Sequence, residues 1–335
     1  MIHFGVHTPR VYELSPDRHD AAALCSQCLG FLLDVDRNGV LLVDDGKLMK
    51  NAMASAIGEW PEKYRKKGQE LLRRLSESNR LIPVAVNRAC DQRGGTCDAT
   101  EVIAKSCAHD HLVTPNSCLC IADGPLCQLE GAVPLAEFCV TLPDRFREPT
   151  LIYGKPDREK FERQVLAPVF RTAKWVRMVD RHIGANAKLV GMDCPLPENY
   201  VRGLDWVTSC LASFSDKRRL SEVTIVTGYP LDLNSFGRSL VRKAYEDFVS
   251  ALSTRFEVRM ILNLLDFGKL PHQRYLLTDQ VALDMGRGYD PIDRSGKLRD
   301  VSVSLLSARE LRKLTADYPF ISAAPSPRSG KPAFV

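Results

Sequence analysis

The side chains best suited to chemistry crowd into one segment, His272–Asp290, HQRYLLTDQVALDMGRGYD. A histidine can attack a phosphodiester and carry the phosphoryl group as a covalent intermediate. A guanidinium two positions on, Arg274, can hold two non-bridging oxygens at once. If a strand has begun at His272, its alternation turns both groups to one face. Asp279 follows at the strand's end, where a carboxylate can fix the tautomer and orientation of an imidazole. A second strand then runs into Gly286-Arg287-Gly288, whose glycines let a phosphate approach backbone N–H groups while Arg287 adds a charge. This route calls for neither a metal ion nor an organic cofactor.

Alternating helices and strands must position these groups. In the second half, helical spacing covers Phe161–Phe170, Val201–Phe214, Arg238–Thr254 and Leu305–Ala316. Strands are expected at Trp175–Val179, Glu222–Thr227, Phe256–Leu262, Arg274–Thr278 and Val281–Met285. The order predicts a mixed sheet flanked by helices, with ligands at strand ends. In the first half, strands are expected at Val11–Leu14, Gly39–Val43, Leu81–Val86 and Leu112–Thr114, and helices at Asp20–Val35, Lys47–Trp60, Glu62–Ser78 and Thr100–His109. The fold class is therefore α/β. A stretch rich in proline and charge suggests a boundary, giving a first domain over 1–143, a linker over 144–160, a second domain over 161–322 and a flexible tail over 323–335.

The charges divide at the same place. Residues 1–143 carry a net −3 and residues 144–335 a net +8, within a whole-chain +5 over 335 residues. A basic second half favours a polyanionic partner, nucleic acid first. No window is long and apolar enough for a membrane helix, and the first residues lack a signal-peptide pattern. Eleven cysteines, an odd number, fit a reducing cytoplasm in which most thiols are buried.

The segment His272–Asp290 resembles the half-site of the phospholipase D superfamily, His-x-Lys, four residues, Asp, six residues, Gly-Ser-x-Asn. His272, Asp279 and Gly286 match; Arg274 replaces the lysine, Arg287 the serine and Tyr289 the asparagine. The His-x-Arg-Tyr form looks closer to a divergent branch, the phospholipase-D-like domain found C-terminal to microtubule-interacting-and-transport domains, and its bacterial relatives. KWVRMVDRHIG resembles that branch's strand ending, here at Asp180-Arg181-His182-Ile183. The resemblance covers about residues 160–320. It implies a metal-independent phosphodiesterase with His272 as nucleophile, Arg274 and Arg287 as phosphate clamps and Asp279 as orienting group. Two half-sites normally face each other, one histidine attacking while the other protonates the leaving group. This chain has one copy of the motif, and His182 lacks a basic residue two positions on, so a homodimer is expected. The alternative is a subunit that binds nucleic acid at the same pocket without cleaving it. The eukaryotic branch also suggests lipid headgroups, but no basic amphipathic membrane helix or lipidation motif accompanies it.

The first half resembles a degenerate PIN-like domain over CLGFLLDVDRNGVLLVDDGKLMKNAM and CDATEVIAKSCAHDHLVTP, with Gly39, Asp44, Asp45 and Asp98 at matching positions. PIN nucleases gather carboxylates around Mg²⁺ or Mn²⁺ to activate water. Here Glu13 stands for an aspartate, Asn51 for a glutamate, and no acid follows the strand at Leu112–Thr114 until Asp123. Metal-dependent activity is not expected, and Asp98 reads as a helix cap. Cys25-x-x-Cys28 and Cys118-x-Cys120 have metal-like spacing, but an apolar helical pattern around the first pair makes buried thiols the expectation. The basic helix Lys63–Arg74 reads as a solvated face that could also touch nucleic acid. Joining a PIN-like region to a phospholipase-D-like domain implies a bacterial defence or toxin effector, with a protein partner from the same operon.

Overall fold

The computed structural model describes residues 3–7, 9–14, 20–85, 96–106, 111–115, 132–141, 151–188, 195–231 and 233–318. It is an α/β protein with two sheets. The first contains β1 (His3–His7), β2 (Gly39–Asp44), β3 (Leu81–Val84), β4 (His111–Thr114) and β5 (Ala132–Pro134), all parallel, in the order β3-β2-β1-β4-β5. The run GVLLVD of β2 is buried along its whole length, as a parallel strand covered on both faces must be. Helices Ala21–Asn38, Leu48–Gly58, Glu62–Glu77, Thr96–Ser106 and Leu135–Thr141 accompany this sheet.

The expected strand at Val11–Leu14 is not formed; the first strand is β1 instead. Pro9 has a fixed φ and opens a 3₁₀ turn over Pro9–Tyr12. The turn supplies acceptors, Val11 O taking the Cys28 thiol at 3.3 Å and Tyr12 O the indole N–H of Trp60 at 2.8 Å. Cys25 and Cys28 are buried, and burial raises both thiols above their usual range. Among the described residues no group of three or more His, Cys, Asp or Glu side chains is placed to hold a metal ion. Cys118 and Cys120 lie outside the described residues.

The basic helix Glu62–Glu77 buries Leu71, Leu72 and Leu75. Several of its outward charges neutralise one another: Lys66 pairs with Glu62, Arg73 with Glu70 and Glu77, and Arg74 with Asp36 on the helix Ala21–Asn38.

The second sheet contains β6 (Leu151–Gly154), β7 (Trp175–Val179), β8 (Glu222–Gly228), β9 (Met260–Leu265), β10 (Tyr275–Thr278), β11 (Ala282–Asp284) and β12 (Val301–Leu305), in the order β6-β12-β11-β10-β7-β8-β9. β7, β8 and β9 run parallel, and β10 turns the remainder antiparallel. Three elements depart from expectation. β6 lies in the stretch read as linker, where it forms the sheet's outer edge. β9 begins at Met260 rather than Phe256, because Phe256 closes the preceding helix and Glu257 takes a left-handed conformation. β12 lies where no strand is expected and ends at Leu305; Ser307 and Glu310 then close a reciprocal capping box and begin the last helix at Ala308. A π-helical turn over Glu162–Leu166 joins Arg158–Phe161 to Ala167–Arg171, next to Pro168, which has no N–H to donate. The expected tail, residues 323–335, lies outside the described residues. No helix of the described residues is long and apolar enough to cross a membrane.

The halves meet at the far end of β10. The Gln280 amide donates to Asn79 O at 3.0 Å and its carbonyl accepts from Thr172 Oγ1 at 2.8 Å, while the Lys174 ammonium donates to the Asn79 side chain. A depression of about 340 Å³ beside this contact is lined by Arg74, Arg80, Trp175, Asp279, Gln280 and Arg312, among others.

Two glycines test the packing in opposite directions. A Cβ on Gly203, in the helix Glu198–Phe214, would lie 1.9 Å from Tyr289 O, whereas one on Gly30 would meet nothing within 4 Å. Gly203→Ala is expected to destabilise the protein by roughly 2–3 kcal/mol. Gly30→Ala is expected to stabilise it by about 0.5–1 kcal/mol through helix propensity. Urea denaturation of the two variants measures both.

Candidate functional site

The antiparallel register sets Tyr275 of β10 opposite Val179 of β7. One residue further along, Arg274 and Asp180 are therefore neighbours, and Arg274 Nε lies 3.9 Å from Asp180 Oδ1. Asp180 is fully buried. Its carboxylate accepts the N–H of His182 at 2.9 Å, capping the short helix Arg181–Ala185, and the N–H of Tyr289 at 3.3 Å. Burial still dominates and raises the Asp180 pKa to about 6, against those two hydrogen bonds and the charges of Arg274 and Arg181. Arg274 also donates to Gly286 O at 3.0 Å.

The turn carrying His182 is fixed from behind. Thr227 of β8 donates its hydroxyl to Asp180 O at 2.7 Å and accepts the N–H of Gly184 at 2.8 Å. A Cβ on Gly184 would lie 2.1 Å from Gly228 O, so only glycine permits this closeness. The Tyr245 hydroxyl donates to Ile183 O from the helix Ser235–Phe256. His182 then meets His272 edge to face, with ring centroids 6.3 Å apart. Arg181 Nε donates to His182 Nε2 at 3.3 Å. Partial burial, with Arg274, Arg181 and His272 nearby, lowers the His182 pKa, so its imidazole is neutral at pH 7.

Two imidazoles and two guanidiniums thus converge at one end of the β7–β10 pair. His272 is exposed, while Arg274 is partly buried. On the other side of Arg274 an open depression of about 470 Å³ is lined by Tyr200, Arg274, Gly286, Arg287, Asp290, Asp300, Val301 and Ser302. Arg287 is exposed at its rim. The cations of this depression are Arg274 and Arg287, set against the carboxylates of Asp290 and Asp300, and Arg274 is the group it shares with the two imidazoles.

Several expected roles change. Asp279 does not reach His272: the whole of β10 separates them, and its Oδ1 accepts the N–H of Lys174 at 2.8 Å near the contact between the halves. Asp180 is the carboxylate at the site, and it faces Arg274. Gly286 and Gly288 do not offer their N–H groups to a phosphate, because those donate to Asp284 at 3.0 Å and to Met285 O at 2.7 Å. Both glycines have positive φ and serve close approach. A Cβ on Gly288 would fall 2.1 Å from Asp180 Oδ2 and 2.8 Å from Arg274 Cγ. Tyr289, in the asparagine position, is buried and donates its hydroxyl to Tyr275 O at 2.7 Å.

Among the described residues the acids of the first half do not assemble a centre. Asp44 is buried at the end of β2 and accepts the N–H groups of Leu48 at 2.8 Å and Met49 at 2.6 Å, which begins the next helix. Asp45 and Glu13 are exposed. Asp98 falls inside the first turn of Thr96–Ser106 rather than before it, and its side chain lies outside the described residues. The strand order places the switch in direction between β1 and β4, where such sheets bind ligands. His7 closes the β1 side of it. Its imidazole is buried against Met53 Sδ at 3.1 Å, and burial lowers its pKa to about 3.

Asp180 and His182 are noted in the sequence only as a strand ending that resembles the branch, and the motif gives them no role, since neither belongs to the His-x-Arg spacing. The signal for them is positional. A charged triplet follows directly on the apolar strand WVRMV, as expected at a ligand-bearing strand end.

The Asp180 carboxyl gives a pH test. Its pKa is raised from 3.8 to about 6 on folding, so the ionised form costs stability above pH 6. That cost, about 3 kcal/mol, is relieved as pH falls from 6 toward 4. Relative to Asp180→Asn, the wild-type unfolding free energy is expected to rise by that order between pH 7 and pH 4, measured by urea denaturation. Parallel curves for the two proteins would contradict the assignment. No protein-family model and no curated protein matches this chain, so the meaning of the site rests on its geometry.

Proposed function

We propose that the second half is a phospholipase-D-like phosphodiesterase acting on nucleic acid, and that the first half is a PIN-like domain without metal chemistry. One observation carries this reading: His182, His272, Arg181 and Arg274 converge at one strand end beside an open depression. The parallel order β3-β2-β1-β4-β5 supports the assignment of the first half.

Arg274, with Arg287 at the rim, holds the non-bridging oxygens. The His272 imidazole attacks phosphorus, so that a P–N bond forms as the P–O bond to the leaving alcohol breaks. His182, protonated once the anionic ester binds beside it, gives its proton to the departing oxygen. Neutral again, His182 takes a proton from water; the hydroxide attacks phosphorus, the P–N bond breaks and His272 is restored. The motif alone requires a homodimer to supply two imidazoles, whereas His182 supplies the second within one chain.

A specific observation favours a second reading. Arg274 is already engaged by Asp180 and Gly286 O, as in a subunit that binds phosphate without cleaving it. Incubation with single- and double-stranded DNA and RNA in EDTA separates the two. Cleavage is expected to survive chelation and to fall by about 10²–10⁴ in His272→Ala and in His182→Ala. Unchanged cleavage in His272→Ala would remove the proposed nucleophile. Binding without cleavage, weakened steeply by salt, would establish the second reading.

A further inference from the structure

β7, β8 and β9 are parallel and in register, so their carboxyl ends lie side by side. Asp180-Arg181-His182 leaves the first, Tyr229 the second and Asp266-Phe267 the third. Gly228 lets these segments close on one another, since even a Cβ there would touch Arg181 O at 3.0 Å and Phe267 and Leu270 at 3.4 Å. Cations sit over rings along this edge. Arg181 lies over Phe267 at 4.5 Å, and Arg238 and Arg242 lie over Tyr229 at 5.3 and 5.9 Å. Phe267 meets His182 at 5.7 Å, which meets His272 at 6.3 Å. The chain of contacts is continuous from the candidate site to the helix Ser235–Phe256.

The edge is positive. Asp266 pairs with Arg238 at 2.8 Å and Lys269 at 3.6 Å, and Glu246 pairs with Arg242 at 3.4 Å. Among the described residues Arg181 has no carboxylate within ion-pair distance, and Lys269 is largely exposed. A ring backing a guanidinium holds it planar and presents its outer face for stacking, while its N–H groups reach phosphate.

We infer that this edge is a track for single-stranded nucleic acid, leading a strand across β9 and β8 to the His272–Arg274 site. The inference deepens the proposed function and rests on it for the identity of the site. Unstacked bases need flat faces and their phosphates need intervening cations, and ring–guanidinium pairs at a sheet edge supply both. A duplex hides its base faces and is read by elements inserted into a groove; this edge inserts none.

Binding is measured by fluorescence anisotropy in the His272→Ala protein, with fluorescein-labelled oligothymidylate and oligouridylate of about a dozen nucleotides and with a duplex of the same length. Both single strands are expected to bind more tightly than the duplex, and any difference between them separates DNA from RNA. Phe267→Ala and Arg181→Gln should each weaken single-strand binding by about tenfold, Arg181→Lys should recover only part of that loss, and Lys105→Gln, on the helix Thr96–Ser106 beside the other sheet, should change nothing. Equal affinity for duplex, no binding at all, or unchanged binding in Phe267→Ala and Arg181→Gln would overturn the track. Near-native unfolding midpoints confirm that the variants fold, and the partial recovery in Arg181→Lys separates lost stacking from a local collapse. Single-strand binding without cleavage by the wild type would leave the track standing and remove the enzyme. Cleavage that ignores Phe267→Ala would do the reverse.

Discussion

A carboxylate sealed from water beside a guanidinium organises the second half of the protein. Asp180 has no solvent to satisfy it, so every partner must come from the chain, and each one fixes another segment. The N–H of His182 sets the turn after β7, the N–H of Tyr289 sets the path after β11, and Arg274 is held at the head of β10. Gly288 must lack a side chain for the pair to fit at all. Such a pair is a poor source of net stability, because the desolvation of two charges opposes their attraction. Its effect is on geometry: it sets where the cation and the two imidazoles stand.

Among the described residues the first half has no comparable centre. Its parallel sheet reverses strand order between β1 and β4, and the group on the β1 side is a histidine whose burial disfavours the charged form. Asp44 is consumed as a helix start. A short carboxylate at a strand-to-helix junction satisfies orphan N–H groups whether or not it ever meets a metal. The groups suited to chemistry therefore lie where burial is partial, at the end of β7 and β10.

Much of the fold was legible in the residues. Trp175–Val179 is the strand its periodicity describes, and GVLLV falls within β2. The departures have local causes. Pro9 turned an apparent strand into a 3₁₀ turn, and the Ser307–Glu310 box moved a helix start. At the candidate site, spacing singles out His272, Arg274 and Asp279, and the fold sets the first two before β10 and the third at its other end. Position along a strand says which face a side chain takes and nothing about which end of the sheet it serves. Asp180 and His182 follow a strand nearly a hundred residues earlier, and only the β7–β10 pairing makes them neighbours of Arg274. Spacing marks Gly286 and Gly288 as places where a ligand could reach backbone N–H groups; in the fold those N–H groups bond within the chain, and it is the missing side chains that the packing uses.

β10 has a further consequence. Its trailing end carries Asp279 and Gln280 against Asn79 of the first half, and its leading end carries Arg274. Hydrogen bonds to β7 and β11 hold the strand on both sides. One extended segment of four residues thus joins the contact between the halves to the candidate site, although the halves share no sheet.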